Sequence, residues 1–244
     1  MALSDPVTTL KGVGQAKAAM LEKLNIQTLE DLIGFFPRQY EDRTRFSCIG
    51  ELTVGEPRCF TAMVTSQPRT SYIRKGLNTT RCTVSDSSAK VRVTWFNQPW
   101  MKDNLQMGQT YCFYGALTGD ERGTQVLNPV AEALDAPPRA TRCIIPVYPL
   151  TKGMTSKALQ QLIFLVLEQE TPEDFLPPAL QKDRMPLLPA YREVHRPTSM
   201  ERLKEARERL GFEEFFLFTL GLGLMRARRA FQIVGCRIDG EPPC

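Results

Sequence analysis

The stretch KVRVTWFNQPWMK, residues 90–102, contains an alternating segment that runs into an aromatic corner. Val91, Val93 and Trp95 occupy every second position, which is the spacing of one face of a β-strand. We therefore predict a strand over 90–97 with Trp95 in the core. The rings of Phe96 and Trp100 can be interpreted in two ways, as further core filling or as an exposed surface that stacks on a ligand.

The same alternation occurs on both sides of this stretch. Strands are predicted at 58–65, 78–85, 90–97, 110–118 and 124–130. The turns SDSSAK and TGDERG separate neighbouring strands, and QPWMKDNLQMG has room for one short helix after the third strand. Five short strands with a helix after the third are typical of an OB-fold barrel, whose second and third strands commonly bind oligonucleotides.

The segment LKGVGQAKAAMLEKLNIQTLEDLIGFFP, residues 10–37, shows helical periodicity. A first helix, ended by Asn25, is predicted to share an apolar face formed by Ala16, Ala19, Met20 and Leu24. Thr28 and Asp31 have the spacing of a capping box for a second helix, which Pro37 ends. The apolar residues predicted on this second helix are Leu29, Leu32, Ile33 and Phe36.

This helix pair resembles the helix-hairpin-helix motif of many DNA-binding proteins. Gly12 and Gly14 precede the first helix, where bare backbone and a helix N-terminus suit a phosphate. A purely structural helical pair explains the same pattern equally well, so both interpretations stay open.

Two helices are predicted in the C-terminal part. One covers 156–168 and presents Leu159, Leu162, Ile163 and Val166 on one face. The other opens at Thr198, which has capping-box spacing to Glu201. Its apolar stripe is predicted to consist of Leu203, Ala206, Leu210, Leu217, Leu220 and Leu224.

The overall prediction is an α+β chain with three parts. These are a helix-hairpin-helix-like unit and charged connector (1–46), an OB-fold barrel (47–135), and a proline-rich linker with connecting helices (136–244). The chain is globular and mildly basic, with 244 residues and a net charge of +4. That surplus permits a nucleic-acid partner without requiring one, because a local patch matters more than the total.

The cysteines favour a reducing compartment and argue against a metal centre. All seven are scattered, and none has the CxxC spacing of a zinc site. We therefore expect buried thiols, no metal and a cytoplasmic location. The N-terminus lacks the pattern of a signal peptide, and the apolar run FFLFTLGLGLM is too short to cross a bilayer, so no membrane partner is expected.

Several motifs together resemble the N-terminal part of the bacterial RecG family of ATP-dependent DNA helicases. They occur in the family's order and cover approximately residues 10 to 230. The motifs are LKGVGQAKAAMLEKLNIQTLEDLIGFFPRQYEDRT, FNQPW, PVYPLTKGM, REVHRPTS and ARERLGFEEFFLFTLGL.

The resemblance implies roles for the aromatic corner. In the family the OB-fold domain is called the wedge and lies at the branch point of a fork, where an aromatic pair caps the parted base pairs. Carried over by position, Phe96 and Trp100 are that pair, with Trp in place of the expected Tyr, and Asn97 and Gln98 support the loop.

Candidate phosphate contacts lie in and beside the first hairpin and around the aromatic strand. They are Arg69, Arg74, Lys75, Arg81, Arg92 and Lys102. For each of them singly, an ordinary solvated surface charge is an equally good interpretation.

No enzymatic site is expected in this chain. It lacks GxxxxGK[ST], so it should not hydrolyse ATP alone; ATP and Mg would be expected only for the family's motor domains, which do not follow here. His195 is predicted to be a hydrogen-bonded loop residue rather than a general base. Glu41 and Asp42 are predicted to anchor the connector through Arg43 or Arg38.

Three functional hypotheses follow. The first is a branched-DNA-binding wedge acting at replication forks and Holliday junctions in bacterial DNA repair and recombination, associated with the nucleoid. The second is a general single-stranded DNA-binding module. The third is a protein-interaction module that self-associates through the apolar stripe of the C-terminal helix.

Overall fold

The computed structural model describes residues 2–120 and 123–232, with two compact units. The barrel unit comprises Phe36–Leu159 and Arg196–Met200. Of the described residues, the helical unit comprises 2–35, Gln160–His195 and 201–232. The predicted domain boundaries after residues 46 and 135 stay predictions.

The strands of the barrel unit follow the predicted order. In the described part of the chain they are β1 (Gln39–Asp42), β2 (Pro57–Val64), β3 (Arg69–Arg74), β4 (Leu77–Ser85), β5 (Lys90–Phe96), β6 (Thr110–Asp120), β7 (Gly123–Leu127), β8 (Val130–Ala133) and β9 (Ile144–Val147). Hydrogen bonding joins them in the order β2–β4–β5–β7–β6, and β6 closes the ring by pairing with β2. The β5–β7 pair is parallel and the others are antiparallel.

This closed order is that of an OB-fold barrel, which confirms the predicted α+β class. The helix α3 (Met101–Asn104) follows the third strand of the ring, as predicted. Trp95 is completely buried with Val91 and Val93, and its Nε1 donates a hydrogen bond to the Pro129 carbonyl at 2.7 Å. The prediction that Trp95 is core is therefore confirmed.

The structure contains strands that the sequence pattern did not indicate. The connector predicted at 37–46 contains β1, which pairs with β9 inside the proline-rich stretch. The strand predicted at 124–130 is wrong in extent, because Asn128 adopts a left-handed conformation with φ 47° and separates β7 from β8.

The helices, with their bounds, are α1 (Gln15–Glu22), α2 (Leu29–Ile33), α4 (Ser156–Gln169), α5 (Pro178–Gln181), α6 (Leu187–His195) and α7 (Met200–Gln232). The α2 capping box is confirmed, since Thr28 Oγ1 accepts from the Asp31 amide at 3.1 Å and the Asp31 carboxylate accepts from the Thr28 amide at 2.9 Å. The hydrogen bonds that the Asp31 carboxylate accepts from the Thr28 and Gln27 amides lower its pKa. The predicted apolar face of α4 is also confirmed, because its four residues are buried.

Two details of the N-terminal prediction are wrong. Leu21 is the buried residue of α1, whereas Ala16 and Ala19 are exposed, because Val13 and Ile26 fill the core on either side of this two-turn helix. The helix α2 ends at Ile33, so Phe36 lies outside it.

The long helix α7 divides into two halves with different surroundings. It begins at Met200, two residues after the predicted start. Leu203, Ala206 and Leu210 are buried, whereas the stripe residues that follow, Leu217, Leu220 and Leu224, are exposed. The predicted stripe is therefore part core and part surface.

Ionisable groups lie inside the helical unit. Arg209 is buried, and its guanidinium contacts Asp174 at 2.8 Å and Glu213 at 2.7 Å. His195 is the last residue of α6 rather than a loop residue, and its Nε2 lies 2.8 Å from the Ile33 carbonyl oxygen. Burial lowers the pKa of His195 to about 4, so the ring is neutral near pH 7.

The thiols are distributed partly as predicted. Cys59, Cys82 and Cys112 are buried and Cys143 is half-buried, but Cys48 is exposed. Cys236 and Cys244 lie outside the described residues. Over residues 2–120 and 123–232, the structure holds neither a helix long and apolar enough to cross a membrane nor a cluster of three ligands that could bind a metal.

Candidate nucleic-acid interface

The aromatic corner, residues 96–100, connects β5 to α3 and presents two rings to solvent. Phe96 is the last residue of β5 and is 37% exposed. Trp100 precedes α3 and is 54% exposed. The neighbouring Trp95 points inward, as strand alternation requires. Of the three rings in this stretch, Trp95 therefore belongs to the core, and Phe96 and Trp100 belong to the surface.

Hydrogen bonds fix the backbone of the aromatic corner. Asn97 adopts a left-handed conformation with φ 55°, which Asn tolerates better than most residues. Its amide donates to the Asn78 carbonyl at 2.9 Å, and its Oδ1 accepts from the Asn78 amide at 3.0 Å. The predicted support of the loop by Asn97 thus has a geometric basis.

Two further contacts hold the first and the middle residue of the same corner. The Phe96 amide donates to Asn128 Oδ1 at 2.8 Å. The Gln98 carbonyl accepts from Thr80 Oγ1 at 3.0 Å, so Gln98 supports the loop through its backbone. The backbone of the first three residues of the corner, which carries Phe96 and leads to Trp100, is consequently fixed.

Cations line the outer face of the barrel next to this corner. In the strand register, Arg81 lies opposite Arg69 on one side and Thr94 on the other. A groove of about 360 Å³ opens here, which we call the arginine groove. It is lined by Ser66, Gln67, Arg69, Ser71, Arg81, Cys82, Thr83 and Arg92.

The arginine groove has the electrostatics of an anion site. Like charges directly opposite each other on paired strands are destabilising unless a counter-ion is present. Among the described residues, no carboxylate lies within 4 Å of Arg69, Arg81 or Arg92, and none lines the groove. A phosphate would supply the missing negative charge.

The remaining predicted cations lie at the edges of this surface. Arg74 and Lys75 are exposed at the tip of the β3–β4 hairpin, where Gly76 adopts φ 82°. Lys102 is exposed on α3, directly after the aromatic corner. Their role as phosphate contacts stays a prediction.

Gly12 and Gly14 belong to the helical unit. Gly12 adopts φ 90°, and its carbonyl accepts a hydrogen bond from Lys17 Nζ at 2.8 Å. Gly14 is the N-cap residue of α1 and has no side chain to satisfy the first amides of that helix. Phosphate binding at this turn also stays a prediction.

An exposed aromatic residue that the sequence pattern did not indicate lies on β3. Tyr72 is 75% exposed and Ile73 is 52% exposed, both on β3. Their signal in the sequence is the run SYIRKG, in which large apolar residues stand among cations without strand-like alternation.

The carboxylates of the connector have a structural role. Glu41 binds Arg43 at 2.6 Å, which confirms one predicted partner, and the Arg43 guanidinium lies 4.0 Å from the Tyr114 ring centre. Asp42 instead contacts Thr44 and Arg45, so the prediction that it binds Arg43 or Arg38 is wrong. Burial raises the pKa of Tyr114.

The chain is similar in sequence to a known protein family and to several of its members. Residues 6–168 match the family model described as the RecG wedge domain. The ATP-dependent DNA helicase RecG of Thermotoga maritima is 29% identical over 93% of this chain and 30% of its own length. The Escherichia coli K12 protein of the same name is 29% identical over 91% of this chain and 34% of its own length.

A solved structure shares the fold over nearly the whole chain. The structure of RecG bound to a three-way DNA junction superposes with a TM-score of 0.81 at 27% identity, covering 94% of this chain and 32% of that one. This chain therefore spans about a third of the length of these relatives.

Proposed function

Since the chain belongs to the RecG wedge domain family, we propose that it binds branched DNA, at replication forks and four-way junctions. In this proposal it is the junction-binding part of an ATP-dependent helicase that acts in DNA repair and recombination. The binding step itself needs neither ATP nor Mg²⁺, because both belong to the motor. The site of action is the bacterial cytoplasm, at the nucleoid.

The observation that carries this proposal is the fixed aromatic corner with two exposed rings. Stacking of a base on an aromatic ring contributes about 1–3 kcal/mol and does not depend on the base. Such binding suits a protein that meets branches of any sequence. Because hydrogen bonds already fix the backbone around Asn97, little conformational entropy is lost when a base docks.

Phe96 and Trp100 have separate tasks in this proposal. Phe96 ends a strand and Trp100 lies beyond the turn, so their rings are offered to bases of two different arms. The arginine groove binds the backbone of an adjacent arm through its phosphates. This electrostatic contribution weakens steeply with salt, whereas stacking does not.

Fluorescence anisotropy of a labelled model fork and a matched duplex tests the proposal. We expect the natural chain to prefer the fork, and Phe96→Ala/Trp100→Ala to lose that preference while retaining duplex binding. Phe175→Ala is the control, because Phe175 is a phenylalanine of the helical unit that is exposed to about the same extent as Trp100. Equal affinity of natural chain and double variant for fork and duplex at matched salt would exclude the wedge role.

The same assay separates branch binding from general single-strand binding. A single-strand binder would prefer an unpaired oligonucleotide to the fork and would gain nothing from the branch. The barrel topology alone is compatible with both functions, so the ratio of the two affinities decides between them.

A second candidate function rests on the distal half of α7. Phe215 is 75% exposed and Phe218 is 66% exposed, and apolar patches of this kind commonly bind protein. We propose that this half of the helix self-associates. Sedimentation should then show a concentration-dependent dimer that Leu217→Glu/Leu220→Glu abolishes, whereas a monomer at all concentrations would contradict this function.

A further inference from the structure

We propose that the β3–β4 hairpin separates two strands of branched DNA, with Tyr72 stacking on a base of one strand and the arginine groove binding phosphates of the other. This inference rests on the proposed junction binding and adds to it a third stacking ring and a physical divider. The occupant of both faces is single-stranded nucleic acid.

The hairpin is suited to a divider because both faces of its strand β3 reach solvent. The strand β3 pairs with β4, and all six of its residues are exposed. Successive side chains of a strand point to opposite faces. Arg69 and Ser71 therefore share one face, and Thr70 and Tyr72 share the other.

The arginine face continues towards Phe96. Arg69 lies opposite Arg81, and Thr79, two residues from Arg81 on the same face, lies opposite Phe96. Two residues of a strand span about 7 Å. A DNA strand with one base stacked on Phe96 can therefore place its neighbouring phosphates in the arginine groove.

The tyrosine face continues towards Trp100. Thr70 Oγ1 and Thr80 Oγ1 form a hydrogen bond of 2.9 Å on this face, and Thr80 Oγ1 also donates to the Gln98 carbonyl at 3.0 Å. Gln98 precedes Trp100 by two residues. The segment that carries Trp100 therefore leaves the barrel on the side of the hairpin that carries Tyr72.

The hairpin is connected to the aromatic corner near its tip. Tyr72 pairs in register with Asn78, and Asn78 exchanges two hydrogen bonds with Asn97. The position of Tyr72 relative to the corner is therefore set by the strand register and by these bonds. The backbone that carries the Tyr72 ring is therefore ordered before any base binds.

Protection of a sheet edge explains these residues less well. Proteins commonly place charged residues on an edge strand to prevent pairing with other chains. Arg69 and Arg74 would serve that purpose. The exposed side chains of Tyr72 and Ile73 would oppose it, because large apolar side chains on an edge strand promote association. Binding of a base gives Tyr72 a reason to be exposed.

The test uses two model forks, each with a single-stranded segment on one arm only. Binding of each fork is measured by anisotropy for the natural chain, Tyr72→Ala, Tyr72→Phe and Arg69→Gln/Arg81→Gln. We expect Tyr72→Ala to weaken one fork roughly tenfold and to leave the other within about twofold, with Tyr72→Phe restoring binding. The arginine variant should weaken mainly the other fork.

The outcomes distinguish this inference from the junction binding on which it depends. If Tyr72→Ala weakens both forks equally or neither, while Phe96→Ala/Trp100→Ala abolishes the fork preference, the divider is excluded and the wedge remains. If no variant changes binding to any fork, both are excluded. All substituted residues are exposed, so unchanged thermal unfolding should confirm that each variant is folded.

Discussion

The helical unit keeps ionisable side chains inside, whereas the barrel unit exposes the arginines of its groove. Arg209, Glu193 and His195 are buried in the helical unit. Among the described residues of the barrel unit, the buried polar side chains are neutral threonines, namely Thr79, Thr80, Thr94 and Thr141. Three of its arginines, Arg69, Arg81 and Arg92, line an open groove without a carboxylate.

This difference separates the two ways in which a charge can serve a protein. A buried charge must be paired, and it therefore links stability to its partners and to pH. An exposed cation without an acidic partner contributes little to stability and is free to bind an anion. We therefore expect substitutions in the helical unit to change unfolding, and substitutions on the barrel to change DNA binding.

The largest effect is expected from removing the buried cation of the helical unit. Arg209→Met leaves Asp174 and Glu213 without their shared partner and should lower the free energy of unfolding by about 3–5 kcal/mol. Urea unfolding followed by far-UV circular dichroism measures this loss. Lys204→Met is the control, since its exposed pair with Glu208 should contribute at most about 0.5 kcal/mol. Similar losses for the two variants would contradict the comparison.

The buried histidine should make the helical unit sensitive to acid. His195 has a lowered pKa of about 4 in the folded state, against about 6.5 when unfolded. The unfolded chain then binds more protons, so stability is complete above pH 6.5 and falls by about 3 kcal/mol as the pH approaches 4.

His195→Gln should remove most of this slope, because His195 is the chain's only histidine. The measurement is the free energy of unfolding at several pH values between 7 and 4.5, by urea titration. If the free energy of unfolding depends on pH equally in the natural chain and the variant, protonation of His195 does not affect stability.

The exposed rings of the barrel should behave in the opposite way. Phe96→Ala/Trp100→Ala should weaken fork binding by about 1–3 kcal/mol for each base that stacks. The free energy of unfolding should change by at most about 0.5 kcal/mol, as is usual at surface positions. Tryptophan fluorescence through Trp95 reports the unfolding, because Trp95 remains in the barrel core. A large loss of stability would show that the rings are core.

The smallest effect is expected in the salt dependence of binding. Arg69→Gln and Arg81→Gln should each lower the slope of log affinity against log salt by about 0.7–0.9, the value for one phosphate contact. Arg58→Gln is the control, because Arg58 is already paired with Glu56. A control variant that changes the slope as much as the groove variants would remove the distinction between paired and unpaired cations.

Local patterns predicted the barrel well. The strands β2, β4, β5 and β6 alternate in the sequence, and the capping box of α2 depends on residues three positions apart, so both could be recognised without tertiary information. Trp95 was predicted as core from the same alternation. The aromatic corner came from the family resemblance rather than from periodicity.

Other features depend on distant contacts or lack a pattern. The strand β3 is exposed on both faces, so no alternation marks it and Tyr72 was missed. The strand β1 is defined by pairing with β9, about a hundred residues later. His195 lies at the end of a helix and is buried against Ile33, which a linear pattern cannot show.

The separation between Ile33 and His195 also has a consequence for the order of folding. Their contact spans 162 positions, whereas the ring of the barrel closes between Pro57 and Leu127. Long separations slow folding because loop-closure entropy is lost before the contact forms. During synthesis the barrel can therefore fold as soon as it has emerged, and the N-terminal helices, although made first, must wait for α6 before their core is complete.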